Sequence, residues 1–485
     1  MAGIGFELKK MFDKKGLLSM LKAYGYAGIV VTGPMILGVV LLLGIRIISQ
    51  SFCATELQME LLNSMVTVTL LGSLVISNAF SLCSTRYVAD QLYENNNGHI
   101  LPSFFGNVNI MLVIGCVGYG IFLILSGISL NYIFLCLLLY TELLLVWTEI
   151  NYLTAIKDYR SIILIFAFSL LIGFATGFIL GNILSDIVFA MLIAICVAYG
   201  LMSVAYYYLL VKYFPQGDCS CMHFIRWFEK YKELFFLGIC ISLGMFGHLC
   251  IMWYSPARVQ VYGLFYGTPI YDIPALLAFF SILITTINFV TSIEVNFYPK
   301  YRNYYALFND DGSFMDIELA LKEMTETLFR ELTNTFTKQF FATVIFIIGG
   351  TMLFPLLPLG ITDEMLGIYR ILCIGYALYA IGNCAMLLQL YFADNRGALI
   401  SGIIFCVVSC TMTIVFINGD SKYYGVGFTL GALLYAIVSL ILLIRYLKSA
   451  IYHTLCSQPM IVKEDNGFLT KISEYFCERY NKKNC

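Results

Sequence analysis

Apolar runs long enough to cross a lipid bilayer recur along almost the whole chain, joined by short polar segments. A helix needs about 20 predominantly apolar residues to span hydrocarbon, and ILIFAFSLLIGFATGFILGNIL (163–184) meets that length without a single charge. Of 485 residues, 60% are hydrophobic and 12% charged. Soluble domains carry about 25% charged residues, so this chain has too little polar surface to cover a water-facing sphere. The fold class expected is an all-α polytopic membrane protein with about twelve transmembrane helices.

Spans are read near 22–49, 60–84, 104–126, 131–156, 160–181, 186–211, 233–253, 273–298, 338–358, 365–391, 397–417 and 424–447. Lysine and arginine set their direction. One set of connections carries Lys9, Lys10, Lys14, Lys15, Lys22, Arg86, Lys157, Arg160, Lys212, Arg226, Lys230, Lys232, Lys300, Arg302, Lys322, Arg330, Lys338, Arg396 and a basic tail from Arg445. The alternate set holds only Arg258 and Lys422, with Arg46 and Arg370 near span ends. Both termini are therefore expected in the cytoplasm. In the first 21 residues Ile4, Leu8, Met11 and Leu18 share a helical face, which predicts an interfacial helix and not a cleaved signal.

Internal repetition shows at one offset. RYVADQLYENNNG (86–98) matches KYRNYYALFNDDG (300–312), and KDYR (157–160) returns as ADNR (393–396) after an insertion. The reading is two six-span halves of like orientation, a transporter plan with the path between halves. The boundaries expected are an interfacial helix at 1–21, a first lobe at 22–211, a linker at 212–232, a second lobe at 233–447 and a tail at 448–485. Within the second lobe, Ser313-x-x-Asp316 opens an amphipathic insert at 313–337 with Phe314, Ile317, Leu321, Met324, Leu328 and Leu332 on one stripe. Its acids Glu318, Glu323 and Glu326 are candidates for docking a partner; a solvated spacer helix is the plainer account.

A charge at the bilayer centre costs roughly 2.5–3.5 kcal/mol on insertion scales, so intramembrane charges need partners, water or a purpose. Glu142, Glu149, Glu294, Arg46, Arg370 and His248 are the candidates for a substrate path or ion coupling. Helix pairing and snorkelling are the structural alternatives. Gly33-Pro34 interrupts span one and is a candidate hinge, since proline removes a helical hydrogen bond. Aromatics of WYSPARVQVYGLFYGTPIYD (253–272) suit sugar faces or an interfacial belt. Cys219, Cys221 and His223 share a polar loop, but zinc usually takes four ligands, so no metal site is expected. The net charge of −1 gives no reason to expect nucleic acid as a partner. No phosphate-cradling, G-x-S-x-G or H-E-x-x-H motif occurs, so no enzyme activity and no cofactor are expected.

MAGIGFELKK, followed by KAYGYAGIVVTGP, resembles the start of the PelG family, transporters of the Pel exopolysaccharide system. The resemblance continues through TRYVADQLYENN (85–96) and YDIPALLAFFSILIT…SIEVNFYPKYRNYY (271–305). It implies a V-shaped, two-lobe fold of the multidrug/oligosaccharide-lipid/polysaccharide exporter kind, with spans one, two, seven and eight lining a cavity. It implies a polymer of N-acetylated amino sugars as substrate, and glycosyltransferase and cyclic-di-GMP-sensing membrane subunits as partners. The family's acidic residue before its aromatic run corresponds to Glu294; its Glu-Thr pair is Glu294-Val295 here, so no threonine role carries over. Rival readings are a lipid-linked oligosaccharide flippase or drug/cation antiporter on the same fold, or a non-transporting scaffold. A major-facilitator transporter fits less well, because STRYVADQLYENNNG lacks its basic G-x-x-x-D-R signature.

Overall fold

Helix ends and helix lengths carry most of the architecture. The computed structural model describes residues 38–154, 158–215, 217, 219–308, 312–356, 361–456 and 467–484. The expected interfacial helix at 1–21 and the Gly33-Pro34 hinge lie outside the described residues. A short apolar helix α1 (Gly38–Ser51) stands where the first span was expected. Eleven further helices among the described residues are long and apolar enough to cross a membrane.

These begin with α2 (Glu56–Tyr93), α3 (Ile100–Ser126), α4 (Leu130–Leu153), α5 (Tyr159–Ile183) and α6 (Ile187–Tyr213). The short α7 (Ile225–Lys230) precedes α8 (Lys232–Met252) and a two-stranded antiparallel hairpin, β1 (Val259–Tyr262) with β2 (Phe265–Gly267). Next come α9 (Pro269–Ala306), α10 (Phe314–Leu353), α11 (Asp363–Tyr391), α12 (Asn395–Phe416) and α13 (Val426–Lys448). Two shorter helices close the described chain, α14 (Ala450–Leu455) and α15 (Phe468–Asn484).

The chain forms two compact units. One holds the described residues up to Thr268 together with α15; the other runs from Pro269 through α14. The sequence reading placed the boundary at 212–232 and gave α8 to the second half; the structure instead packs α8 on α2. The reason is visible at Gly238, where an added Cβ would lie 2.2 Å from the Asn78 carbonyl oxygen. Only a residue without a side chain lets the two backbones approach that closely.

α2–α6 of the first unit and α9–α13 of the second share one succession of helices. α2 and α9 are both 38 residues long. Asp158 N-caps α5 by accepting from the Ser161 amide, and Asp394 N-caps α12 by accepting from the Gly397 amide. These are the two aspartates of the KDYR and ADNR repeats, and their backbones agree, at φ −88°, ψ 64° and φ −81°, ψ 69°. In each succession the last helix, α6 or α13, reaches back to this corner. The Tyr213 hydroxyl donates to Asp158 at 3.0 Å, and the Tyr446 hydroxyl donates to the Phe392 carbonyl at 2.9 Å. The final pair α12–α13 closes through Gly427-x-x-x-Gly431; a Cβ at Gly431 would lie 2.7 Å from the Ser409 backbone.

The expected insert is not a separate helix. It is the first part of α10, which runs unbroken for 40 residues. At 1.5 Å per residue that is about 60 Å, roughly twice the hydrocarbon thickness. Ser313 and Asp316 form the capping box anticipated from the sequence. Ile317, Met324, Leu328 and Leu332 are buried in a core with Phe297 and Tyr304 of α9, Leu388 of α11 and Leu443 of α13. The apolar stripe is thus used inside its own unit.

Candidate functional site

α4 and α6 pack along a seam that contains both acids predicted for span four. Seven residues separate Glu142 and Glu149, so they stand on one helical face. Glu149 is 1% exposed and accepts a hydrogen bond from the Ser203 hydroxyl at 3.1 Å; its other carboxyl oxygen is buried without a protein partner. Glu142 lies two turns away against Gly200, where an added Cβ would be 2.9 Å from its Oε1. Its Oε2 is also buried without a hydrogen bond from the protein. A buried carboxylate oxygen left unpaired is costly unless a proton, cation or water joins it. This pair therefore has the chemistry of a cation- or proton-exchanging site within the first unit.

The neighbouring helices add hydroxyls and rings. Tyr119 shares a 2.6 Å hydrogen bond with Thr69 of α2 and stacks on Tyr140 at 4.6 Å between centroids. The Trp147 indole donates to the Ser73 hydroxyl at 3.2 Å. Thr69, Ser73, Ser77 and Ser84 are all buried along α2. Their spacing of four, four and seven is a polar stripe legible in the sequence, though it carries no charge to set it apart from the apolar run.

Glu294 sits in the second unit, 4% exposed, within a π-helical turn Ile293–Phe297 that interrupts α9. π-turns are rare and concentrate at functional sites. Lys300, six residues further along α9, pairs with Glu323 of α10 at 2.7 Å. One of the three acids singled out for docking is therefore engaged internally, while Glu318 and Glu326 are exposed on the same helix.

A second polar ladder, unrecognised in the sequence, joins α9 to α10. Thr285 donates to Gln339, whose amide donates to Thr343 at 3.0 Å and to the Ser281 carbonyl at 3.3 Å. Asn288 donates to Thr335 at 2.6 Å and accepts from Lys338 at 2.5 Å. Residues 281, 285 and 288 on one helix and 335, 339 and 343 on the other keep helical spacing, but only the packing of α9 on α10 pairs the two rows.

The remaining candidates scatter. His248 is fully buried in α8. Arg46 is exposed on α1, and Arg370 of α11 is exposed and donates to Thr351 of α10 at 3.2 Å. Of the hairpin-region aromatics, Phe265 and Tyr271 are core residues, Phe265 packing edge-on against Phe122 at 5.4 Å. Tyr254 and Tyr262 are exposed.

At the far end of α2 the loop before α7 brings His99, Cys219 and His223 together, with potential ligand atoms all within 4.8 Å of one another. Burial holds His223 well below the usual imidazole range, at about 4, with Arg226 and His99 adding to the effect. Burial pushes the Cys219 thiol up to about 11, Cys477 of α15 adding to the rise and Arg226 opposing it. α15 is tied down by Glu229 of α7, which accepts from the Thr470 amide and hydroxyl, both at 2.9 Å. Backbone amides at a helix N-terminus favour an anion, and this holds the Glu229 carboxyl below its usual range.

Comparison with known proteins completes the picture. A family model described as "PelG: Putative exopolysaccharide Exporter (EPS-E)" matches residues 1–455. Among curated proteins nothing matches. A MATE transporter in its bent conformation superimposes with a TM-score of 0.57 at 12% identity, covering 93% of this chain and 97% of that one. A MOP-superfamily transporter from Pyrococcus furiosus gives 0.56 at 12% identity, covering 87% and 96%. The eukaryotic MATE transporter AtDTX14 gives 0.53 at 15% identity, covering 94% and 99%. Likeness at these identities concerns the fold, which is that of a multi-pass MATE-type transporter.

Proposed function

Because the chain belongs to the PelG family, we propose that it exports a Pel-type exopolysaccharide, a polymer of N-acetylated amino sugars, across the cytoplasmic membrane. The single observation that carries this reading is the family match over residues 1–455, which takes in both units. The MATE-type fold supports transport in general. The basic bias of alternate connections supports both termini in the cytoplasm, where a glycosyltransferase would deliver the growing chain. In this reading the transporter works beside that synthase and a cyclic-di-GMP-sensing membrane subunit, and Glu142, Glu149 and Glu294 serve the path or its ion coupling.

Deletion of the gene tests it. Secreted polymer is expected to disappear while the synthase still makes polymer inside the cell; undiminished secretion overturns the reading. A second reading, cation-coupled antiport of a small molecule or a lipid-linked oligosaccharide, draws on the buried Glu142–Glu149 seam. Transport of such a substrate by the purified protein, with no synthase present, would favour it.

A further inference from the structure

The cluster at the end of α2 shares no residue with the intramembrane acid sites. Two separate segments meet there: the turn before α3 supplies His99, and the loop before α7 supplies Cys219 and His223. A tetrahedral zinc site has Zn–N of about 2.0–2.1 Å and Zn–S of about 2.3 Å, so its ligand atoms stand roughly 3.4–3.8 Å apart. Atoms within 4.8 Å in the absence of metal need to close by about 1 Å to reach that geometry.

The surroundings are those of ligands already oriented. His99 Nδ1 is 2.9 Å from the Gln91 side-chain oxygen, and His223 Nδ1 is 3.1 Å from the Tyr87 hydroxyl. With each Nδ1–H donated to that oxygen, each Nε2 keeps its lone pair for a cation. Metal-binding histidines typically hold their second nitrogen in this way. Each of the three residues is only half-buried, which leaves a route for an ion.

α15 brings a fourth candidate, Cys477, to the same loop, outside the 4.8 Å grouping of the other three. Thr470, Ser473 and Cys477 follow one helical face. Thr470 is bound to Glu229, and the Ser473 hydroxyl donates to the His223 carbonyl at 3.4 Å. Cys477 is one turn further along that face, and Cys219 and Cys477 are both free thiols. We propose that His99, Cys219, His223 and Cys477 form a Cys₂His₂ zinc site that staples the C-terminal helix to the end of α2. The sequence concealed it because His99 and Cys477 lie far from the Cys219–His223 loop in the chain, so no ligand spacing was visible.

Full-length protein purified in detergent, stripped with a chelator, desalted and incubated with zinc chloride alone is expected to retain one zinc per chain by elemental mass spectrometry. Cys219→Ser and His223→Ala are each expected to lose it, and Cys477→Ser to weaken binding by at least about tenfold. Gln91→Ala, which frees the His99 ring without removing a ligand, is expected to weaken binding by about 10–100-fold. Cys221→Ser, exposed and outside the cluster, retains one zinc. Cobalt(II) on the wild-type protein should show thiolate-to-metal absorption, a readout that no variant's folding can confound. Wild-type protein without zinc or that absorption overturns the site, as does a folded Cys219→Ser/His223→Ala protein that still holds one zinc. Unchanged affinity in Cys477→Ser overturns the four-ligand arrangement.

Discussion

At the scale of single residues, the account turns on carboxylates that the protein leaves incompletely satisfied. Glu149 keeps one hydrogen bond, to Ser203, and presents its second oxygen without a protein partner. Glutamine preserves shape and the accepting oxygen but not the exchangeable charge. Glu142→Gln and Glu149→Gln are therefore expected to slow export by about tenfold or more, equivalent to roughly 1.4 kcal/mol of barrier, with thermal stability held or raised. Secretion rate measured beside the melting temperature checks this; wild-type secretion by the Glu142→Gln/Glu149→Gln double variant contradicts it. Gly238 makes a packing prediction of the opposite kind. A valine there would drive its side chain into the Asn78 carbonyl, and overpacking of this sort costs about 1–3 kcal/mol, so the melting temperature of Gly238→Val should fall. These residues differ in how readable they were. Glu142 and Glu149 stood out as charges in an apolar run, whereas Gly238 is one glycine among many until the backbone opposite it is known.

At the scale of elements, the repeated corner of the two units gives a matched pair of tests. Asp158 and Asp394 cap α5 and α12 with nearly the same backbone geometry. The Ser161 hydroxyl, at 2.6 Å, is the chief cause of the lowered pKa of the Asp158 carboxyl, burial opposing it. Loss of an N-cap costs about 0.5–2 kcal/mol, so Asp158→Ala and Asp394→Ala should each lower the denaturation midpoint, and by similar amounts. A large effect at one with none at the other contradicts the structural repeat. Lys300 and Glu323 form an exposed pair between α9 and α10. Such pairs contribute about 0.2–1 kcal/mol, and a double-mutant cycle on Lys300→Ala and Glu323→Ala should return a coupling of that size, weaker in high salt. Span positions were legible because apolar run length has a direct physical meaning in lipid. The continuity of α10 was not, because its first half has the composition of a soluble amphipathic helix and only the packing of Ile317, Met324 and Leu328 shows what it covers. The π-turn at Glu294 and the Thr285–Gln339 ladder depend on contacts between segments, which no single stretch announces.

At the scale of the whole molecule, α2–α6 and α9–α13 keep one helix order, and the chain belongs to the PelG family and has a MATE-type fold. The two-half plan was visible from short repeats, but the unit boundary was not: α8 looked like the opening of the second half and belongs with the first by close backbone packing. The exposed acids of α10 make a prediction about assembly. Reversing Glu318, Glu323 and Glu326 together to lysine is expected to reduce co-purification of the synthase or membrane subunits; unchanged recovery removes α10 as the docking surface.

The most direct test of export uses inverted membrane vesicles carrying this chain and its synthase, supplied from outside with the amino-sugar nucleotide. The account predicts polymer inside the vesicles, resistant to an added glycoside hydrolase until detergent is introduced, and hydrolase-sensitive polymer when this chain is left out. Polymer equally protected with and without the chain contradicts it.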